Sequence, residues 1–289
     1  MIVKKTILNL VISILLLVFL TSCNYNTSET FDTNNSLKNK KILKVHFIDV
    51  GQGDATLIEL HGYTTLIDAG PNSSAESLIY YLKSQNIKSI DYIITTHPDE
   101  DHIGGIDEVL SRFRVKNFYG PKVTKNTDTF KSMVKELKKQ DLKITVPYKD
   151  MVLDLGEQAN LIFLTPLDYK DDNENNLSLV TKLNFKDISI IFMGDCESDV
   201  EKLLIKDSQI LESDIIKLGH HGSKSSSSLA FLKKVAPDYA IISCGKNNKY
   251  GHPHKETIDK LDNLNIKYYR TDIEGNIIFI SDGVNITKD

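Results

Sequence analysis

Hydrophobic and polar residues alternate along much of the chain after residue 41, and glycine-containing turns interrupt the alternation. A period of two predicts half-buried strands, and glycine favours the turns between them. The predicted strands, in chain order, are LKVHFIDV, ATLIEL, TTLIDAG, IDYIITT, VKNFYG, MVLDL, NLIFLTP, LSLVTKLNF, ISIIFMGD, DIIKLG, YAIISCG, IKYYR and NIIFI.

Other segments repeat apolar residues at spacings of three and four, which predicts amphipathic helices. The predicted helices cover 74–85, 103–113, 127–140, 197–205, 226–235 and 254–264. Strands and helices succeed each other in two similar halves, and no clear linker separates the halves. The pattern therefore predicts one α/β domain over 42–289, in which helices cover packed sheets.

The N-terminal segment has a different pattern, because two lysines precede an almost unbroken apolar run at 7–20. The run is shorter than the ~20 residues that span a membrane, and it is typical of a secretory signal. The following LTSC motif resembles a bacterial lipobox, whose cysteine carries lipid. We therefore predict a lipoprotein signal peptide over 1–22 and a lipid anchor at Cys23 with a polar tether over 23–41. An uncleaved anchor is the alternative, and both place the domain outside the cytoplasmic membrane of a bacterium.

Composition narrows the class of protein only slightly. Lysine and arginine total 35 against 39 aspartate and glutamate, a net charge of −4, which excludes a globally basic nucleic-acid coat but not a local basic patch. Three cysteines cannot form a disulfide framework. With Cys23 lipidated, Cys196 and Cys244 remain, and their apolar surroundings predict buried thiols.

The segment THPDEDHIGG places two histidines and three carboxylates within six residues, after a predicted buried strand and before a helix. These side chains are His97, Asp99, Glu100, Asp101 and His102. So many like charges repel each other unless a divalent cation binds between them. The alternative is a solvated acidic turn at a helix N-terminus. We predict metal binding by the two histidines and by Asp99 and Asp101.

This segment resembles the His-x-His-x-Asp-His motif, followed by Gly-Gly, of the metallo-β-lactamase superfamily. The resemblance covers nearly all of 42–289 and implies a four-layer αββα sandwich that holds two divalent metal ions. It implies that Asp195 in IIFMGD bridges the metals and that His220 in GHHGS binds the second one. His221 is the alternative, one residue away. Asp68 in TTLIDAG would support the ligand loop.

The sequence departs from the family pattern at two places. Asp99 stands where the family has its second histidine. No histidine lies between His102 and His220, so the family's middle histidine ligand is missing, and Asn175 or Asn176 occupies that region. Oxygen ligands in place of imidazoles favour Mn²⁺, or a Zn²⁺ site of mixed use. The departures argue against a β-lactam-cleaving enzyme.

A set of segments is similar, in order, to the hydrolase domain of ComEC-type competence proteins. The segments are HFIDVGQGDATLIEL, THPDEDHIGG, NNLSLV, MGD, GHHGSKSSSS and NKYGHPH. The parent proteins of that family also contain a multi-span membrane channel, and we find no such segment after the signal. The resemblance therefore implies the chemistry of the domain and not DNA import.

Residue types near these motifs also favour a phosphoester substrate. Two metals about 3.5–4 Å apart can generate hydroxide and hold both oxygens of an in-line displacement. Ser223, Lys224 and Ser225 precede a predicted helix and could bind phosphate, or the serines could only cap the helix. His252 and His254 could protonate the leaving oxygen, bind phosphate, or be ordinary surface residues.

The glycine turn after the first strand contains Gln52 and Asp54, which could approach the site or form only a hairpin turn. We predict substrate contact for Gln52, support of the ligands for Asp54, and a catalytic role for Asp101. The sequence thus predicts a lipid-anchored hydrolase of phosphodiesters, with nuclease activity as one form of it. The alternatives are a hydrolase of choline phosphate esters or lactones, and a non-catalytic surface lipoprotein. No feature indicates a protein partner.

Overall fold

The computed structural model describes residues 42–165, 173–207 and 210–289. Lys41–Asp289 forms one compact unit. The predicted signal peptide, Cys23 and the tether lie outside the described residues. Among the helices that the structure describes, none has the length and apolar character needed to cross a membrane.

Short strands and helices alternate along the described chain. The strands are β1 Leu43–Phe47, β2 Thr56–Leu60, β3 Tyr63–Ile67, β4 Ser89–Ile94, β5 Arg114–Tyr119, β6 Val152–Asp154, β7 Ala159–Phe163, β8 Thr181–Phe185, β9 Ile188–Phe192, β10 Ile215–Lys217, β11 Tyr239–Ile242, β12 Lys267–Arg270, β13 Ile277–Ser281 and β14 Ile286–Lys288. The helices are α1 Ala75–Ser84, α2 Glu100–Ile103, α3 Ile106–Arg112, α4 Asp128–Lys139, α5 Ser198–Asp207, α6 Leu229–Val235, α7 Lys255–Asn263 and α8 Thr271–Glu274.

The strands form two seven-stranded sheets. The first has the order β14-β13-β1-β2-β3-β4-β5, and the second has the order β12-β11-β10-β9-β8-β7-β6. The sheets pack face to face through apolar side chains, for example Phe47 of β1 and Phe192 of β9, whose ring centroids are 6.2 Å apart. This inner core forms because alternate residues of each strand are apolar, as the sequence pattern predicted.

Helices cover the outer face of each sheet. Leu78 of α1, Val109 of α3 and Met133 of α4 are buried against the first sheet. Leu204 of α5 and Phe231 of α6 are buried against the second sheet. Two sheets between two helical layers form the predicted αββα sandwich, so the fold class is confirmed.

One edge of this sandwich collects the chemically reactive residues. Strands β3, β4 and β5 are parallel, and so are β9, β10, β11 and β12, so their carboxyl ends meet at common edges. Asp68 follows β3, and the loop 95–102 follows β4. Asp195 follows β9, and residues 220–221 follow β10. The topology therefore brings motifs that are far apart in the sequence together in one site.

Candidate metal centre

Asp68 connects the first ligand loop to the sheet. Its backbone has a φ of 57°, a left-handed conformation that aspartate adopts more readily than most residues. Its Oδ1 accepts a hydrogen bond from Thr96 N at 2.8 Å, and its Oδ2 accepts from Thr96 Oγ1 and His102 Nδ1, each at 2.7 Å. One buried carboxylate therefore fixes both the loop and the ring of His102.

The same loop presents His97 next to Asp99. Because the Thr96 hydroxyl donates to Asp68, its oxygen accepts from His97 Nδ1 at 3.2 Å. This places the proton of a neutral His97 ring on Nδ1 and leaves a lone pair on Nε2. Asp99 Oδ2 lies 3.7 Å from His97 Nε2. The two side chains can thus face a common ion.

Asp195 is the point at which four imidazoles converge. Its Oδ1 lies 3.2 Å from His102 Nε2. Its Oδ2 lies 3.4 Å from His221 Nε2, 3.9 Å from His220 Nε2 and 4.0 Å from His97 Nε2. These positions of the carboxylate oxygens suit a residue that bridges two ions.

Gly194 allows Asp195 to reach this position. Its φ is 53°, and an added Cβ would lie 2.8 Å from Thr96 Cβ and 2.9 Å from Ser178 Cβ. Only glycine combines the left-handed backbone with so close an approach to the 95–102 loop. Ser178 Oγ also accepts a hydrogen bond from Asp195 N at 3.0 Å.

Of the two adjacent histidines, His221 lies nearer to Asp195 than His220 does. His221 forms a buried group with Asp54, His102 and Asp195. One potential ligand atom from each of these residues lies within 4.8 Å of the others. His221 Nε2 also lies 3.3 Å from Asp101 Oδ2. His220 lies at the border of the site and is partly exposed. The sequence could not separate the two histidines because their orientation depends on the backbone.

That backbone is unusual, since two consecutive residues other than glycine have left-handed φ angles, 48° at His220 and 54° at His221. Left-handed geometry costs roughly 1–2 kcal/mol per residue. Such strain persists only where the surrounding structure enforces it, and it concentrates at functional sites.

Asp54 and Lys217 lie behind His221. The Nδ1 atom of His221 is 3.0 Å from Ser243 O and 3.3 Å from Asp54 Oδ1. Asp54 Oδ2 in turn pairs with the buried Lys217 Nζ at 2.7 Å. Asp54 Oδ1 faces the ring nitrogen opposite the one that approaches Asp195, a position from which the carboxylate can orient His221.

The buried atoms of the centre fit a metal rather than an apolar core. His97 Nε2, His102 Nε2, His221 Nε2 and Asp195 Oδ1 make no hydrogen bond of good geometry. Buried polar atoms are otherwise almost always paired, and imidazole nitrogens and carboxylate oxygens are ordinary metal ligands. The cluster is therefore suited to two metal ions.

The buried histidines and Asp195 shift each other's pKa values in the metal-free protein. Burial would lower the pKa of His102, but Asp195 and Asp68 raise it well above its ordinary value of 6.5. The pKa of His221 is raised in the same way against burial, first by Asp195. Burial would raise the pKa of Asp195, but His221 and His102 lower it well below 3.8. In the metal-free protein, protons balance the carboxylate charge.

The two asparagines predicted as ligands contact His220 and Glu197. Asn175 Nδ2 lies 3.4 Å from His220 Nδ1, on the side of the ring away from Asp195. Asn176 Oδ1 accepts a hydrogen bond from Glu197 N at 3.0 Å. Their amides thus contact His220 and Glu197, and the hypothesis that one of them binds a metal stays a prediction.

The predicted phosphate-binding segment contains Ser223, Lys224 and Ser225, and its serines form hydrogen bonds within the protein. Ser225 Oγ donates to Glu197 Oε1 at 2.9 Å, and Ser223 Oγ lies 2.9 Å from Ser225 Oγ. The backbone N–H groups of Ser227 and Ser228 donate to the buried carboxylate of Glu201, so a protein anion already occupies the helix N-terminus. Lys224 is exposed. Helix α6 therefore begins at Leu229, later than predicted, since the preceding serines hold carboxylates.

The two later histidines lie next to the centre. The ring centroid of His252 is 5.3 Å from that of His220 and 4.9 Å from that of His254. Burial, His221 and the neighbouring imidazoles lower the pKa of His252 to about 4, so its ring is neutral at pH 7. His254 Nδ1 accepts a hydrogen bond from Lys224 N at 3.1 Å, which places the proton of a neutral ring on Nε2.

A cleft of about 560 Å³ opens beside the cluster. Gln52, Asp99 and Asp101 line it on the side of the ligand loops, and Lys249 and Tyr250 line it elsewhere. Gln52 Oε1 accepts from Gly245 N at 3.0 Å, whereas its Nε2 is buried without a partner. The predicted turn residue thus does reach the cleft.

Three residues of the site were missed in the sequence. Glu197 contacts His220, and its only sequence signal is its position two residues after Asp195. Lys125 pairs with Asp99 at 2.5 Å, and nothing in its polar surroundings marks it. Lys217 had a clear signal, because a lysine inside a buried strand needs a charged partner.

The fold and the ligand set define a metallo-hydrolase of the αββα type. Residues 48–246 match the metallo-beta-lactamase superfamily, so the chain belongs to this superfamily. The resemblance that the motifs predicted is confirmed. Cys196 and Cys244 are buried free thiols, also as predicted.

Two curated relatives each match about four fifths of this chain. ComE operon protein 3 of Bacillus subtilis (strain 168) is 31% identical over 252 residues, which is 81% of this chain and 32% of that protein. Competence protein ComA of Neisseria gonorrhoeae is 27% identical over 233 residues, which is 80% of this chain and 31% of that protein. The chain therefore spans about a third of the length of each.

A solved structure supports the fold. The metallo-beta-lactamase fold protein YhfI from Bacillus subtilis superposes with a TM-score of 0.56 at 13% identity. The match covers 84% of this chain and 100% of that one. At this identity the likeness concerns the fold alone.

Proposed function

We propose that the chain is a metal-dependent hydrolase of phosphodiesters, with nucleic acid as its preferred substrate. The observation that carries this proposal is the set of unpartnered buried atoms, His97 Nε2, His102 Nε2, His221 Nε2 and Asp195 Oδ1, beside a cleft that Asp99 and Asp101 line. These atoms can hold cations at the wall of a cavity large enough for a small substrate.

The ligand set divides between two ions. His97, Asp99 and Asp195 would hold one, and Asp101, His102 and His221 would hold the other together with Asp195. Two bound cations would supply activated water and neutralise the phosphate oxygens in an in-line displacement. The number of carboxylate oxygens favours Mn²⁺ over selective zinc binding.

The protein's own residues orient these ligands and move a proton. Asp68 accepts from His102 Nδ1, and Ser243 O accepts from His221 Nδ1 with Asp54 Oδ1 3.3 Å away, which keeps the other nitrogen of each ring free for a cation. His254 carries its proton on Nε2 and is therefore our candidate donor to the leaving oxygen. His252 stays neutral and packs between His254 and His220.

Charge supports metal dependence of substrate binding. Asp99, Glu100 and Asp101 line the cleft and would repel a phosphodiester unless cations neutralise them. Lys249 and Tyr250 lie in the same cleft, and a cation beside an exposed aromatic ring suits a nucleotide. The relatives named as competence proteins are consistent with this substrate.

Another ester class is the second candidate, because the net charge of −4 does not favour long nucleic acids. Such a substrate would be a choline phosphate ester or a lactone. A non-catalytic lipoprotein is the third candidate. It does not account for the unpartnered buried ligand atoms beside an open cleft.

The test is a substrate panel with the full-length protein in mild detergent, supplied with Mn²⁺ or Zn²⁺. The panel contains bis(p-nitrophenyl) phosphate, single- and double-stranded oligonucleotides, a choline phosphate ester and a lactone. We expect cleavage of the phosphodiesters, lost in Asp101→Asn and His102→Ala and retained in His61→Asn, which changes a histidine in the β2–β3 turn. Equal rates in all four proteins would exclude the proposal, and turnover of only the last two substrates would favour the second candidate.

We also propose that Cys23 anchors the enzyme on the outer side of the cytoplasmic membrane, as the lipobox-like motif predicts. Cys23→Ser should release the protein from the membrane fraction into the soluble extracytoplasmic fraction. Retention of the variant in the membrane fraction would favour an uncleaved anchor instead.

A further inference from the structure

We propose that His220 supplies the imidazole that the ligand motif lacks, and that Glu197 orients it. His220 would then join His97, Asp99 and Asp195 around the first ion. This inference rests on the metal centre of the proposed function, but it does not depend on which ester the enzyme cleaves.

The position of His220 matches that of His97 with respect to Asp195. His220 Nε2 lies 3.9 Å from Asp195 Oδ2, and His97 Nε2 lies 4.0 Å from the same oxygen. Ligand atoms bound to one cation at about 2.0–2.2 Å lie roughly 3–4 Å from each other. Both histidines are therefore at the separation from Asp195 that a shared ion requires.

The support of His220 matches that of the other ligand histidines. Its Nδ1 lies 3.2 Å from Glu197 Oε1. His102 Nδ1 lies 2.7 Å from Asp68, and His221 Nδ1 lies 3.3 Å from Asp54. Metal-bound histidines commonly donate their second nitrogen to a carboxylate, which fixes the tautomer and the ring orientation. A surface histidine has no need of this arrangement.

The surrounding residues hold Glu197 in place. Ser225 Oγ donates to Glu197 Oε1 at 2.9 Å, and Asn173 Nδ2 donates to Glu197 Oε2 at 3.0 Å. Asn176 Oδ1 accepts from Glu197 N at 3.0 Å. Polar side chains from the asparagine loop (residues 173–176) and from Ser225 thus converge on Glu197, the residue that orients His220. The asparagine loop occupies the region of the missing ligand, and its function here is to support a replacement.

The backbone provides a further argument. Both His220 and His221, which follow β10, have left-handed backbone conformations. The result is that adjacent residues place their Nε2 atoms 3.9 and 3.4 Å from one oxygen, Asp195 Oδ2. Neighbouring residues in an extended chain would point to opposite sides. The distortion therefore places two imidazoles on one carboxylate.

In the experiment, metal-free, full-length protein is titrated with Mn²⁺. The number of bound ions is obtained from the loss of the electron paramagnetic resonance signal of free Mn²⁺. The test variants are His220→Gly, which tolerates the left-handed backbone, and Glu197→Gln. The matched control is His61→Gly, because His61 also has a left-handed φ of 54° and its ring nitrogen contacts only Leu155 O among the described residues.

Wild type and His61→Gly should bind two Mn²⁺ per chain. His220→Gly should keep one tight ion and weaken the second at least 10-fold, and Glu197→Gln should weaken the second about 10- to 100-fold. Two ions with unchanged affinities in both variants, or a single ion in the wild type, would overturn the inference. If His220→Gly fails to fold, as judged by circular dichroism of the metal-free protein, Glu197→Gln decides alone.

Failure of the proposed function gives a different result. Wild type that binds two ions but cleaves no phosphodiester would refute that substrate class and leave the role of His220 intact. Conversely, phosphodiester cleavage by His220→Gly with two tight ions would preserve the function and exclude the assignment of His220.

Discussion

Lys217 Nζ lies 2.7 Å from Asp54 Oδ2, and both side chains are buried behind His221. Burial would raise the pKa of Asp54, but Lys217 and His221 keep it well below its ordinary value. The lysine therefore keeps a negative charge on the carboxylate that orients a metal ligand. A buried ion pair of this kind is sensitive to the loss of either partner.

Replacing Lys217 with methionine leaves Asp54 as an unpaired buried charge, and we expect a loss of about 3–5 kcal/mol in the free energy of unfolding. The double variant Lys217→Met/Asp54→Asn removes both charges and should recover most of this stability. It should still bind metal more weakly, since His221 has lost its carboxylate. Urea unfolding of the metal-free protein and a chelator competition measure the two effects.

The control for this pair is Lys116, which contacts Asp91 at 2.6 Å but is largely exposed. Lys116→Met should destabilise the protein far less than Lys217→Met, because water reaches the exposed lysine and screens its pair with Asp91. Similar losses for both variants would mean that burial of the Lys217 pair has no special importance.

Asp68 is predicted to control metal affinity through His102. Asp68→Asn keeps a residue that tolerates the left-handed backbone, but its amide nitrogen is a donor and can accept from neither Thr96 Oγ1 nor His102 Nδ1. We expect Mn²⁺ affinity to fall about 10- to 100-fold. Asp68→Ala should lose comparable affinity and more stability, because alanine removes all three accepted hydrogen bonds. A chelator titration that gives wild-type affinity for Asp68→Asn would contradict this role.

Metal binding should release protons near neutral pH. The pKa values of His102 and His221 are raised above 6.5 in the metal-free fold, so these rings carry protons that a cation must displace. Mn²⁺ affinity should therefore fall as the pH decreases. Calorimetry in buffers of different ionisation enthalpy counts the released protons, and His102→Ala should release fewer.

The same pKa shifts predict how stability varies with pH without metal. A histidine with a raised pKa stabilises the fold fully below its unfolded value of 6.5, and this contribution is lost as the pH rises through the folded pKa. The metal-free protein should therefore melt at lower temperature as the pH increases from 6 through the folded pKa. Bound metal should remove this decline. A melting temperature that is independent of pH without metal would argue against the proton balance.

Tyr250 is predicted to stack on a nucleotide. Its side chain is 53% exposed at the cleft, and Lys249 Nζ lies 5.0 Å from its ring centroid. Tyr250→Ala should raise the KM for an oligonucleotide about 5-fold or more with little change in kcat, since stacking on a base contributes about 1–3 kcal/mol. Tyr250→Phe should behave like wild type. Tyr148→Ala, which removes another exposed tyrosine, is the matched control.

The fold could be predicted because its causes are local. Apolar residues at alternate positions predicted the strands. The spacing of four residues between Leu78 and Leu82 predicted helix α1. Predicted helix starts were less accurate near the site. Helix α6 begins after Ser228, because the N–H groups of Ser227 and Ser228 donate to Glu201, a contact that no local pattern reveals.

The sequence by itself determined the family and located the ligand cluster at 97–102, since these chelating side chains are neighbours in the chain. Only the tertiary structure decided the rest of the site. Asp195 and His221 reach that cluster because parallel strands end at one edge. The separate roles of His220 and His221 depend on two left-handed residues and on Glu197, so they follow from backbone geometry and packing rather than from residue type.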